Sequence, residues 1–284
     1  MKEKLEMLLD ELIFLKQQGV TSIYLQDSTL HAFKTTFNQL ISSDHPESSA
    51  KIISTPISLP TSASSHIASH QPQIDLPEGD KEVQWNFLRD KVLNCSICNS
   101  HIKTGTKVVF GVGNLDADIF FCGEAPGADE EIQGKPFVGK AGQLLTKIIQ
   151  AMGLRREDVY IGNIMNWRPE VPALFGNRPP TQEEMNFCLP YLKAQLTIVK
   201  PKVIVALGAT AVNGLLGIDN KRRMGDIRGK WFEFQNVPLM VTFHPSYLLR
   251  NDTLYAKRQV WEDMLKVMEH LNFPISDKQR IFFQ

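Results

Sequence analysis

The chain has 284 residues, 43% hydrophobic and 22% charged, and its 31 basic and 31 acidic side chains balance to a formal net charge of zero. That length holds one large or two modest domains with a real core, and the composition is that of a soluble globular protein. No apolar run approaches the ~18–20 residues of a membrane span and the N-terminus lacks a signal-peptide pattern, so a cytoplasmic protein is expected.

Zero net charge hides an asymmetry. The first 80 residues carry five Lys and no Arg against ten acidic residues, which leaves the remainder basic by the same margin. A mildly basic body behind an acidic arm is compatible with a phosphate-bearing partner. The four cysteines, Cys95, Cys98, Cys122 and Cys188, read in a cytosolic chain as metal or structural thiols rather than disulfides.

Leu5, Leu8, Leu9, Leu12 and Leu15 form a helical stripe that ends at Gly19. "SIYLQ" follows as a short strand and "LHAFKTTF" as a second helix. Residues 1–40 are therefore expected to be a helical element that docks on another protein or on a second copy of itself. From 41 to 80 the chain turns to Ser, Thr, Pro, His and Gln, too little apolar surface to offset its ordering entropy. A disordered linker is the expectation there.

Beyond residue 80, strands and helices alternate. "ADIFFC" (117–122) is an apolar strand that runs into the stretch "CGEAPGADEEIQGKPFVGKAGQLL", with its five glycines and four acidic residues. The helix "AGQLLTKIIQAMG" follows. "DVYIGNI" (158–164) is the next strand. Thr181 and Glu184 then form a capping box for the helix "TQEEMNFCLPYLKAQLTIVK". "PKVIVALG" (201–208) leads to "ATAVNGLLG", and "PLMVTFH" (238–244) to the closing helix "AKRQVWEDMLKVMEHL". β-Branched apolar runs alternating with helices predict an α/β fold, a three-layer α/β/α sandwich on a mostly parallel four-stranded sheet.

Chemistry in such sheets gathers beyond the carboxyl ends of the strands. Those ends carry "GEAPG", "GN", "LGAT" and "HPS", so Glu124, Asn163 and His244 are predicted neighbours. A carboxylate orients water or stabilises a cation, an Asn reads an amide-like edge, and a His donates to an oxygen that gains charge. Phe137 adds a flat apolar face. Together they suit a planar heterocycle with adjacent C=O and N–H groups that leaves as an anion.

"GEAPGADEEIQGKPFVGKAGQLL", "YIGN", "RPPTQEEMNFCLPYL" and "HPSYLLRN" resemble the family 4 uracil-DNA glycosylases, bacterial and archaeal enzymes that usually bear an iron–sulfur cluster. The likeness runs from about Cys95 to Leu271 and implies that 81–284 is a glycosylase-like catalytic domain. It also implies a DNA substrate containing uracil, and monofunctional hydrolysis to free uracil and an abasic site in base excision repair. By the same resemblance Gly123 to Gly127, Ala125 included, supply backbone contacts to the base. Either Glu124 or Glu130 holds the hydrolytic water, Phe137 stacks on uracil, and Asn163 reads its N3–H/O4 edge. His244 donates to O2 and Ser246 belongs to the same motif. Leu248 is placed like the wedge that fills the gap left by a flipped base. Lys140, Gln143, Arg228 and Arg250 are the further DNA-contact candidates.

The chain departs from this pattern in one respect that bears on a cofactor. The resemblance calls for four cluster cysteines, and Cys95, Cys98 and Cys188 match three of them. "MNWRPE" puts Trp167 at the remaining position, and indole does not ligate iron. A 4Fe–4S cluster held with an outside ligand or by Cys122, and no cluster at all, are the alternatives. The loop "EVPALFGNRPP" is longer than expected and its role is not legible. "NKRRMGDIRGK" lacks the histidine that DNA-crosslinking relatives use. Rival readings are a glycosylase for deaminated purines and a non-catalytic DNA-binding iron–sulfur module.

Overall fold

The apolar runs pair into one sheet in the computed structural model, which describes residues 71–169 and 178–283. The element expected over 1–40 and the linker up to residue 70 lie outside the described residues. In chain order the described part holds helices α1 (Lys81–Leu93) and α2 (Ser96–Ser100), then strands β1 (Val112–Gly113) and β2 (Ile119–Gly123). Helices α3 (Ala128–Gln133) and α4 (Lys140–Ala151), strand β3 (Tyr160–Asn163), helix α5 (Gln182–Val199) and strand β4 (Val203–Leu207) follow. The chain continues through α6 (Ala209–Leu216), α7 (Met224–Ile227), β5 (Trp231–Phe234) and β6 (Val237–Thr242), and ends in α8 (Pro245–Arg250), α9 (Leu254–His270) and α10 (Asp277–Arg280).

The sheet order is β1-β3-β2-β4-β6-β5. The inner four strands are the expected parallel set, and each edge strand is antiparallel to its neighbour. The sequence reading missed both edges. β1 is two residues long, and β5 alternates exposed and half-buried positions instead of forming an apolar run. The β5–β6 hairpin turns on Gln235 and Asn236, both with positive φ, the geometry of a type I′ turn.

Period-two alternation sends successive side chains to two separate cores. Phe120, Cys122, Ile204, Ala206, Leu239 and Val241 pack with residues of α1, α5 and α6. Ile119, Phe121, Val203, Val205 and Met240 pack with Leu145 and Ile149 of α4 and with Trp261, Met264 and Val267 of α9. The result is the expected three layers. At the head of α5 the predicted box is present: Glu184 N–H donates to Thr181 Oγ1 at 3.2 Å, and Thr181 N–H to Glu184 Oε2 at 2.7 Å.

The linker boundary needs correcting. Residues 71–80 run without helix or strand, but Ile74 and Leu76 pack against the first core, and the Lys91 ammonium and Gln84 amide donate to the carbonyls of Gln73 and Pro77. Two apolar side chains among polar neighbours are enough to pin a segment that composition alone assigns to disorder.

The chain leaves β2 toward β3 on one side and later returns to β4 on the other, so connections diverge at the carboxyl end of β2. A crevice opens at such a switch point.

Candidate active site

Strand register brings the remote residues together. Gly123 at the end of β2 lies opposite Asn163 at the end of β3. Past the strand ends the pairing continues, Ile164 N–H donating to Gly123 O at 2.9 Å and Met165 N–H to Glu124 O at 3.0 Å. On the other flank Leu207 pairs with Thr242, and Gly208 N–H donates to Thr242 O at 2.9 Å, which sets His244 two residues beyond the sheet. A cavity of about 380 Å³ opens between these ends, lined by Glu124, Phe137, Asn163, His244, Ser246 and Arg250 among others. Ala125, Gly127 and Glu130 from the glycine-rich loop complete that wall.

Phe137 is held by two glycines. A Cβ on Gly123 would stand 2.5 Å from both Phe137 Cζ and Asn163 Oδ1, and one on Gly142 would stand 1.9 Å from the Phe137 carbonyl oxygen. The ring itself sits on a backbone with φ of 53°, an uncommon conformation for a bulky residue. It meets the His244 imidazole at 5.6 Å between centroids, tilted by 35°. The cavity therefore has a flat apolar floor with a ring nitrogen at its edge.

His244 caps α8. Ser246 N–H donates to His244 Nδ1 at 3.1 Å, and Ser246 Oγ lies 2.8 Å from the same nitrogen. An Nδ1 that accepts an N–H keeps its lone pair, so in the neutral ring the hydrogen is on Nε2. Burial first, and then the Arg250 charge, push the imidazole pKa down to about 4. His244 is thus a neutral Nε2–H donor at neutral pH.

The two carboxylates differ. Glu130 Oε2 accepts from Gly127 N–H at 3.1 Å, while its Oε1 accepts from Val138 N–H at 3.0 Å and Gly139 N–H at 2.9 Å. Its acceptors tie the two ends of the loop together. Burial raises the Glu124 pKa, with the Thr210 hydroxyl and the Arg250 charge pulling the other way. The Asn163 Oδ1 is buried without a hydrogen-bond partner in the wall of the cavity. An unpaired buried acceptor costs free energy until something donates to it.

Residues 110–265 match the family described as the uracil DNA glycosylase superfamily. The chain belongs to that superfamily. The type-4 uracil-DNA glycosylase of Thermotoga maritima is 43% identical over 188 residues, covering 66% of this chain and 94% of the relative. The type-4 enzyme of Archaeoglobus fulgidus is 39% identical over 185 residues, 63% of this chain and 89% of the relative. A type-5 uracil-DNA glycosylase of Pyrobaculum aerophilum is 30% identical over 151 residues, 48% of this chain and 64% of the relative.

In this superfamily member not every expected site residue reaches the cavity. Leu248, expected to be a wedge, is 4% exposed and packs with Ala256 and Val260 against Leu144 and Tyr247. Arg228, expected on phosphate, is committed to the protein: its guanidinium bonds the carboxylate of buried Asp263 and the Gln259 carbonyl. Lys140 and Gln143 are exposed on the first turn of α4, flanking the cavity-lining Ala141 and buried Gly142. Arg250, the other arginine expected on phosphate, is exposed and lines the cavity. The sequence reading missed Pro179, which brings the end of the unread "EVPALFGNRPP" loop to the cavity wall.

Three cysteines of the glycosylase, Cys95, Cys98 and Cys188, gather at a place outside the cavity lining. Cys98 N–H donates to Cys95 Sγ at 3.4 Å, and Cys98 and Cys188 are fully buried. The Cys98 thiol chiefly, with Tyr191 and backbone groups, lowers the Cys95 pKa to about 5 against the opposing effect of burial. The bond with Cys95 raises that of Cys98, and burial that of Cys188. Trp167 is fully buried, stacked on His101 at 4.8 Å and 9° and tilted against Phe187 at 5.9 Å. Three thiols beside a packed indole do not fit a four-thiolate cluster, and among the described residues no three His, Cys, Asp or Glu side chains are grouped to hold a metal ion. Cys122 lies on β2 in the core.

Proposed function

We propose that the chain hydrolyses the N-glycosidic bond of uracil in DNA, releasing free uracil and leaving an abasic site. The orphaned Asn163 Oδ1 carries this reading. One amide with a free acceptor beside its own donor matches N3–H and O4 of uracil. Cytosine presents the reverse pattern and would leave both groups unpaired in a buried site. Phe137 offers the stacking face.

The bond from C1′ to N1 breaks with its electron pair going to the base. His244 donates from Nε2 to O2 as the uracil anion forms, a neutral donor to the oxygen that gains charge. Water adds to the oxocarbenium-like C1′, and the proton it loses passes through solvent to the uracil anion, which leaves as neutral uracil. We assign the placing of that water to Glu124, because Glu130 is engaged by three backbone N–H groups. The described residues lining the cavity include no lysine, so the reaction ends at the abasic site without a Schiff base. No step is routed through an iron–sulfur group. Among the described residues no helix is long and apolar enough to cross a membrane, and a cytoplasmic DNA-repair role belongs to the same proposal.

Uracil release from oligonucleotides containing uracil, hypoxanthine or a thymine mismatch tests the reading. Only the uracil substrate is expected to turn over efficiently. Asn163→Ala and His244→Ala are expected to lower that rate by about 10²-fold or more, with the melting temperature as a control for folding. Unchanged release in both variants would remove the mechanism.

A further inference from the structure

Phe137 keeps its ring against the cavity from a left-handed backbone, with φ of 53°. A bulky residue holds such a conformation only where its surroundings over-determine it. The surroundings act on the peptide groups to either side. Just after Phe137, the Val138 and Gly139 N–H groups donate to Glu130 Oε1 at 3.0 and 2.9 Å. Just before it stands Pro136, which has no N–H, so its carbonyl is the one backbone handle on that side. That carbonyl accepts from the Arg156 guanidinium at 2.8 Å.

Arg156 comes twenty residues later, on the 3₁₀ turn Arg156–Asp158 that leads into β3, and it is not among the residues lining the cavity. Its second nitrogen donates to Thr146 Oγ1 on α4 at 3.2 Å. The Thr146 hydroxyl in turn donates to the Gly142 carbonyl at 3.1 Å, and Gly142 is where a Cβ would collide with the Phe137 carbonyl. One planar guanidinium therefore fastens the strand of loop before the ring to the helical turn on which the ring's backbone rests. Two donors in a fixed geometry suit that task, which a single flexible ammonium does less well. The side chain is half-buried, and burial opposes its charge, with Glu157 and then Glu130 acting the other way.

We propose that Arg156 is the positioning residue for the stacking face: by joining the Pro136 carbonyl to Thr146 it keeps Phe137 in its left-handed conformation and so sets the affinity of the cavity for the base. Arg156 touches neither the base nor the reacting atoms. Glu130 does the matching work on the other side, so charges of opposite sign hold the peptide groups before and after the ring. The inference rests on the glycosylase reading and names a residue on which its base-binding face depends.

Inhibition by free uracil and single-turnover uracil release, measured beside thermal unfolding, test the assignment. Arg156→Met keeps the length of the side chain and removes both donors. It is expected to weaken uracil inhibition and slow release about tenfold, within what one stacked base is worth, and Arg156→Lys is expected to recover part of both. The deciding comparison is made in a Phe137→Leu background, where the ring is already gone. There Arg156→Met is expected to add little to the loss of uracil affinity while lowering the melting temperature as much as before. If Arg156→Met does not fold, Arg156→Lys in the two backgrounds makes the same comparison with a smaller change. An equal loss of affinity with and without the ring overturns the proposal, and so does a lowered melting temperature with unaltered uracil inhibition. Failure of the unaltered chain to release uracil would instead sink the glycosylase reading, and this role of Arg156 with it.

Discussion

His244 is held neutral by its surroundings, and that has a thermodynamic consequence. Its pKa falls from the ordinary 6.5 to about 4 in the folded chain. Between those values the unfolded chain binds the extra proton, so the stability present above pH 6.5 is lost as pH falls toward 4. Full loss amounts to about 3 kcal/mol, of which about 2 kcal/mol is gone by pH 5. Denaturant unfolding at pH 7 and pH 5 reads the difference, and His244→Gln is expected to flatten it. Glu124 makes a separate prediction for activity. A carboxylate raised by burial loses its charge at higher pH than an exposed one. Uracil release is therefore expected to fall on the acid side above the usual carboxylate range, a limb that Glu124→Gln should remove along with most of the rate. The meeting of Glu124, Asn163 and His244 at one cavity was legible in the sequence because each stands at or just past the carboxyl end of an apolar strand. The distinct duty of Glu130 was not, since its three backbone donors come from both ends of a loop whose path no periodicity reveals.

Helices and strands differ in how plainly they announce themselves. The inner strands and the Thr181–Glu184 cap were readable because burial on both faces and a local hydrogen-bond pair leave marks in a few consecutive residues. Two-residue β1 and half-exposed β5 leave none. For α8 the sequence gives a motif but not a phase: with Leu248 and Leu249 adjacent, only the packing of Pro245 and Leu248 tells which of the two is buried. The cysteine corner is the same lesson in reverse. Trp167 read as the loss of a ligand, and the structure shows an indole stacked on His101 and tilted against Phe187 as part of the core. Trp167→Ala is expected to cost about 3–5 kcal/mol by thermal or denaturant unfolding. Metal analysis of anaerobically purified protein is expected to find no stoichiometric iron, with iron uptake gained only when Trp167→Cys restores a fourth thiol. Four irons per unaltered chain would overturn that account.

For the molecule as a whole, the charges sum to zero, but the chain beyond residue 80 carries five more basic than acidic residues, a mild excess that favours a phosphate-bearing partner without singling out a contact. Which cations meet the backbone depends on where each one sits, and Arg228 and Arg250 are placed very differently. Arg228 lies beneath the surface, where its bonds to Asp263 on α9, beside the bond from Thr242 of β6 to the same carboxylate, tie a helix of one outer layer to the sheet. Burial pushes the Asp263 carboxyl pKa up, with Arg228 and Thr242 opposing. Removing the guanidinium strands that carboxylate, so Arg228→Met is expected to destabilise the fold by about 3–5 kcal/mol. The salt dependence of DNA binding by the folded fraction should not change. Arg250, exposed at the cavity rim, should behave in the opposite way. Arg250→Ala is expected to leave unfolding nearly unaltered, to weaken binding of a uracil-containing duplex, and to reduce the slope of log K against log salt by about one. Titrations of both variants across a range of salt concentrations separate the two groups: an altered slope for Arg228→Met, or an unaltered one for Arg250→Ala, would show that the phosphate contact lies elsewhere on the surface.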